Sequence, residues 1–177
     1  CRVLYIGNHR SFFDVTAYLY PRCPILPGYI AKKEMEKVPL LSTSDETPSL
    51  LFLDRNDLKQ GLKTILTAIE KVKSGISICI FPEGTRNKNE DELDMLPFHE
   101  AASKIDRKGK LPIIPMAISG SADIWENIFQ ELRKPTLSWN MAKPIYIDQL
   151  EKEDKKHLGA YTQNIIHEML VKNKAQL

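Results

Sequence analysis

A chain of 177 residues is long enough to form one domain with a substantial buried core. Its 42% apolar and 27% charged residues are globular proportions, which excludes disorder as the default. A net charge of +2 is too small for a general affinity for nucleic acid, so any phosphate must be held by a local set of arginines and lysines.

Taken in chain order, Arg2 to Ile6 (RVLYI) predicts a buried strand. It runs into Asn8-His9-Arg10-Ser11-Phe12-Phe13-Asp14, a strand-to-helix turn in which Ser11 is a good N-cap and Asp14 completes an acidic capping box. A turn at Arg10-Ser11 can fold His9 back toward Asp14. A carboxylate bonded to one imidazole nitrogen fixes the tautomer and leaves the other nitrogen free as a base. The plainer alternative is that Asp14 only stabilises the helix start and His9 is a loop histidine.

Gly28 to Ala31 is a weaker strand signal, followed by two cations, Lys32 and Lys33. Ser49 to Leu53 predicts a second buried strand that ends in Asp54 and Arg55. The clearest helix runs from Leu58 to Lys73, with Asp57 as its cap and Gly75 beyond its end. Leu58, Leu62, Ile65, Leu66, Ile69 and Val72 share its apolar face, and its lysines form a solvated one.

Ile76 to Phe81 (ISICIF) predicts another buried strand, with Cys79 in the core, and leads into Pro82-Glu83-Gly84-Thr85-Arg86. Ligands in open α/β sheets commonly sit where strands end. Gly84 lets the backbone approach a ligand, and Arg86 offers a planar fork suited to phosphate. Glu83 would repel phosphate directly, so it is better suited to a substrate hydroxyl or to an arginine. A tight turn with a surface ion pair is the alternative.

The charged stretch Asn87 to Asp94 predicts a mobile surface loop without calcium-loop spacing, so no metal is expected. Leu111 to Ile118 predicts a strand that Pro112 and Pro115 should leave irregular or at an edge. Thr136 to Met141 and Ile145 to Ile147 suggest a late hairpin, and a helix follows from about Lys152. His157 and His167 lie on it without a partner motif. Alternation of strands and helices predicts an α/β fold with a mostly parallel central sheet flanked by helices, in one domain over residues 1–177.

Cys1, Cys23 and Cys79 form no Cys-x-x-Cys pair, and their odd number fits a reducing compartment better than a disulfide framework. No apolar run approaches the roughly 18 residues that a spanning helix needs. The chain starts abruptly in a strand without Met. The expectation is therefore an excised or processed piece of a longer protein.

The ordered set of strand-end motifs resembles the glycerolipid acyltransferase family, particularly bacterial 1-acylglycerol-3-phosphate acyltransferases. NHRSFFD looks like its Asn-His-x-Ser-x-x-Asp block, AKKE like its lysine segment, LFLDR like its Phe-x-x-Arg block, FPEGTR like its Glu-Gly-Thr-Arg block, and LPIIP like its proline block. The matches span Asn8 to Pro115, and the chain departs from the family at Ala101, where glycine is usual.

The resemblance implies that His9 is a general base oriented by Asp14. It places Glu83, Gly84, Thr85 and Arg86 at the acceptor's glycerol-phosphate end, assisted by Arg55 and Lys32. It implies acyl transfer from acyl-CoA or an acyl-carrier protein, as co-substrate, to a lysophospholipid hydroxyl. No metal or other cofactor is implied. The setting implied is a membrane surface on the cytoplasmic side, anchored through an N-terminal membrane-associated segment of the parent protein that this sequence lacks. His99 is a further rim histidine. Phe12 and Phe13 are expected to pack inward, and Pro112, Ile113 and Pro115 to shape the site.

Overall fold

Two short strands, β1 (Leu4–Gly7) and β4 (Ile78–Ile80), are buried at every position, as interior parallel strands covered on both faces must be. The computed structural model describes residues 2–11, 14, 28–32, 50–53, 57–99, 111–126 and 137–175. Within these, β2 (Gly28–Lys32), β3 (Leu50–Leu53), β5 (Ile113–Ser119) and β6 (Ser138–Met141) complete one sheet in the order β3-β2-β4-β1-β5-β6. All neighbouring strands are parallel except β5 and β6. The mostly parallel sheet expected from strand-helix alternation is what the chain forms.

Helix α1 (Leu58–Lys73) begins where expected. Asp57 Oδ1 accepts from the N–H groups of Lys59 at 2.9 Å and Gln60 at 3.1 Å. It ends with Gly75 at φ 106°, where the Gly75 and Ile76 N–H groups return to the carbonyls of Val72 and Lys71. That left-handed turn satisfies two terminal carbonyls and favours glycine. Its buried face, however, is rotated from the one the leucines suggested. Ala68, Ile69 and Val72 are buried, whereas Leu62 is 57% and Leu66 42% exposed. Thr64 and Gln60 turn inward instead, and both donate to the carbonyl of Phe52 at the end of β3.

The tail holds α2 (Ser121–Glu126), α3 (Lys152–Lys156) and α4 (Leu158–Lys174). His157 interrupts the expected single C-terminal helix and separates α3 from α4. Leu158, Ile166 and Leu170 on α4 join Ile69 and Val72 of α1 in the principal core, over one face of the sheet. A second cluster, including Val3, Tyr5, Cys79 and Met116, lies on the opposite face.

Two expectations for the late strands are corrected. β5 is not an edge, since β1 and β6 flank it, and the irregularity expected of its prolines is confined to the pairing at Pro115. Pro115 is accommodated at a register shift. Between the Met116–Met141 and Ile113–Ile145 pairs, β5 advances three residues and its partner four. An extra residue opposite Pro115 makes a bulge, a place where a missing N–H is tolerated. Nor do residues 137–141 and 145–147 form a hairpin with each other, because β6 and Ile145 both pair with β5; Thr136 lies outside the described residues.

The exposure pattern on α1 makes a stability prediction. Ile69→Ala should cost about 2–5 kcal/mol in urea unfolding. Leu62→Gln, despite removing a leucine from the same helix, should change stability by no more than about 0.5 kcal/mol.

Candidate active site

β1 and β4 are neighbours with Ile6 opposite Ile80, so the segments following them leave the sheet side by side. Gly7 closes β1 where space is short. A Cβ there would lie 3.2 Å from Met116 Cε and 3.3 Å from Phe81 Cε1. The next residue, Asn8, is buried, and its amide extends the β1–β5 pairing. Asn8 Nδ2 donates to the Ile118 carbonyl and Asn8 Oδ1 accepts from the Ile118 N–H, both at 2.8 Å.

His9 is held on four sides. Its N–H donates to Glu83 Oε1 at 2.8 Å, and its carbonyl accepts from the Asn87 N–H at 2.6 Å. The imidazole stacks on Phe81, with ring centroids 4.5 Å apart and planes 21° from parallel. Nδ1 lies 2.9 Å from Asp14 Oδ2. A carboxylate in that position selects the tautomer protonated on Nδ1, which leaves the Nε2 lone pair for chemistry.

The same Asp14 oxygen accepts from the N–H groups of Arg10 and Ser11, each at 2.7 Å. The carboxylate thus supplies its half of the expected capping box, at the Ser11 N–H, and orients His9 at the same time. Asp14 is fully buried, and among the described residues its Oδ1 has no hydrogen-bond partner. The turn at Arg10-Ser11 overcomes the separation along the chain.

Glu83 is also buried, but its two oxygens point to backbone. Oε1 takes the His9 N–H, and Oε2 takes the Leu96 N–H at 3.0 Å. Burial pushes its carboxyl above the usual value of 4.5, opposed by these two N–H donors and by the positive charge of Arg10. Gly84, at φ 71°, closes a turn by donating to the Phe81 carbonyl at 2.9 Å. Thr85 is exposed and Arg86 half-buried. Arg86 immediately precedes the Asn87 N–H that binds the His9 carbonyl, so its backbone lies close to that of the histidine.

The remaining sites fall on the same rim or beyond description. Lys32 ends β2 three residues past the Tyr29–Cys79 pair, which sets its backbone level with Pro82. Leu53 of β3 pairs with Lys32, so β3 ends at this rim. Arg55 itself, together with Phe12, Phe13 and Ala101, lies outside the described residues. His99 is exposed and its N–H donates to the Pro82 carbonyl.

The stretch Asn87 to Asp94 is not the free surface loop its charges suggested. Asn87 and Asn89 side chains both bond the Asp94 carbonyl, Arg10 donates to the Asn89 carbonyl, and Lys174 pairs with Asp91 at 2.9 Å. Asn8, Phe81 and Asn87 are supports that sequence reasoning did not single out. An asparagine at a strand end was the available signal for Asn8. Nothing local marked Phe81 as a stacking partner.

The family model described as Acyltransferase matches residues 1–119. The chain belongs to the acyltransferase family. It is 28% identical over 169 residues to a 1-acyl-sn-glycerol-3-phosphate acyltransferase of Saccharomyces cerevisiae, covering 93% of this chain and 53% of that protein. A protein of the same name from Helicobacter pylori is 34% identical over 125 residues, covering 70% of this chain and 51% of the other. The chain spans about half the length of these curated relatives. The crystal structure of the 1-acyl-sn-glycerophosphate acyltransferase PlsC from Thermotoga maritima superposes with a TM-score of 0.74. It is 22% identical, and the match covers 98% of this chain and 67% of that one. That likeness shows that this acyltransferase shares its fold.

Burial of Glu83 gives the acyltransferase a signed pH dependence. Because its folded pKa is raised, its contribution favours folding below the usual 4.5 and fades as pH rises through the folded value. Glu83→Gln removes that titration. The stability of the wild type relative to the variant should therefore decline in urea melts as pH rises from the usual 4.5 through the raised folded value. A relative stability that increases with pH contradicts this assignment.

Proposed function

We propose that this acyltransferase moves a fatty acyl group from an acyl thioester to the free hydroxyl of 1-acylglycerol-3-phosphate in phospholipid biosynthesis. The observation that carries the reading is the His9–Asp14 pair, with Nδ1 and Oδ2 2.9 Å apart, beside the Glu83–Arg86 loop. Binding a lipid needs no oriented base, whereas transfer to an alcohol does, because a protonated hydroxyl is a poor nucleophile. The names of the yeast and bacterial relatives support the same acceptor.

In the proposed reaction His9 Nε2 takes the proton of the acceptor hydroxyl as its oxygen attacks the thioester carbonyl. The tetrahedral intermediate collapses by breaking the carbon–sulfur bond. The thiolate leaves and receives the proton that His9 had accepted. The products are the ester and a free thiol, and no acyl-enzyme forms. Asp14 stabilises the imidazolium between the two proton transfers. Arg86, with Arg55 and Lys32 from the adjoining strand ends, holds the acceptor's phosphate. Gly84 and Thr85 line that end of the site, and the bound phosphate fixes the hydroxyl near His9. Glu83 takes part through the loops it ties together, and each of its oxygens retains a lone pair for an acceptor hydroxyl.

The donor is acyl-CoA or an acyl-carrier protein, and the acceptor is reached at the cytoplasmic face of a membrane. No helix among the described residues is long and apolar enough to cross one.

Two measurements on the full-length protein test this reading. His9→Ala should lower kcat by about a hundred- to ten-thousand-fold with both substrates saturating. Near-normal turnover would remove the base from the mechanism. Arg86→Ala should raise KM about ten- to a hundredfold for 1-acylglycerol-3-phosphate, the range expected for a lost charge-assisted hydrogen bond. The same variant should leave a lysolipid without phosphate nearly unaffected. Preference for glycerol-3-phosphate over the lysolipid would shift the acceptor assignment.

A further inference from the structure

We infer that Gln163, on the C-terminal helix α4, is a positioning residue for His9. It acts through the Leu96–Phe98 segment and Glu83. Gln163 lies outside the 1–119 region matched by the family model, and no sequence motif marks it.

The Gln163 side chain grips one short segment by both kinds of backbone group. Its Nε2 donates to the Leu96 carbonyl at 3.2 Å, and its Oε1 accepts from the Phe98 N–H at 3.3 Å. The N–H of that same Leu96 donates to Glu83 Oε2, and Glu83 Oε1 takes the His9 N–H. Hydrogen bonds therefore run from α4 through Leu96 and Glu83 to the backbone of the proposed base.

The chemistry of Glu83 makes this path directional. Both of its partners are N–H donors, and such bonds to an ionised carboxylate are short and strong. A buried carboxylate with a displaced donor loses much of what offsets its desolvation. Holding Leu96 in place therefore holds Glu83 in place, and Glu83 in turn holds His9. The segment is set against the core as well. Met95 and Phe98 pack on the cluster that includes Leu158, Ile166 and Leu170 of α4. The apolar contacts fix the segment's depth, and Gln163 fixes its position along the helix. His99 adds a tie to the Pro82 carbonyl, one residue before Glu83.

The catalytic half of this inference rests on His9 being the base proposed above, so the test carries a readout independent of acyl transfer. In the full-length protein, Gln163→Met keeps the length and bulk of the side chain while deleting both hydrogen bonds. Amide exchange at His9 and Leu96 should accelerate about five- to tenfold, the effect of losing about one net hydrogen bond from the path. Exchange at Ala68 and Val72 in α1 should be unchanged. Gln163→Glu keeps an acceptor for the Phe98 N–H but loses the donor to Leu96, and should fall between wild type and Gln163→Met.

With lysolipid and acyl thioester supplied, kcat should fall about tenfold in Gln163→Met while KM for the acceptor holds. Unchanged His9 exchange in both variants overturns the path, whatever the activity. Faster His9 exchange with unchanged kcat removes the positioning role. A wild type that transfers no acyl group, yet shows the exchange effect, would defeat the proposed reaction and leave the structural path intact.

Discussion

Parallel pairing of β1 with β4 is the constraint on which the site depends. Ile6 lies opposite Ile80, so two segments separated by more than seventy positions in sequence leave the sheet next to each other. The buried side chains of Leu4, Ile6, Ile78 and Ile80 enforce that register, because a slip of one residue would turn each of them to the opposite face. Once the register is set, His9 and Glu83 need only two or three residues beyond the sheet to meet. Asn8 secures the other flank by pairing with both backbone groups of Ile118.

Around this junction the protein uses buried carboxylates to organise backbone. Asp14 gathers the Arg10 and Ser11 N–H groups on the oxygen that faces His9. Glu83 divides its two oxygens between His9 and Leu96. Backbone donors are held in place by the fold itself, so little conformational entropy is lost in keeping such bonds, whereas a flexible lysine or arginine would have to be immobilised.

The C-terminal part of the chain belongs to this construction. Gln163 holds the Leu96–Phe98 segment, Lys174 pairs with Asp91, and buried Asn173 bonds Asn140 and Ser119. Helix α4 thus braces the loops behind the site while filling the core beneath them.

Much was legible in the sequence where physical causes are local. Apolar runs, the Asp57 cap, Gly75 after α1 and the capping box from Ser11 to Asp14 each depend on neighbours a few residues away. The motif order was sufficient to indicate the family and the residues to examine. Tertiary structure decided what depends on distant partners. It rotated α1 so that Leu62 and Leu66 face outward, because Thr64 and Gln60 found the Phe52 carbonyl. It placed β5 inside the sheet by giving Pro115 a bulge. It drew the charged loop after Arg86 into contact with Arg10 and Lys174. The sequence by itself determined that His9, Asp14, Glu83 and Arg86 occur at strand ends with the right chemistry. Only the folded sheet decided that Glu83 would bind the backbone of His9, because that bond requires β1 and β4 to lie side by side.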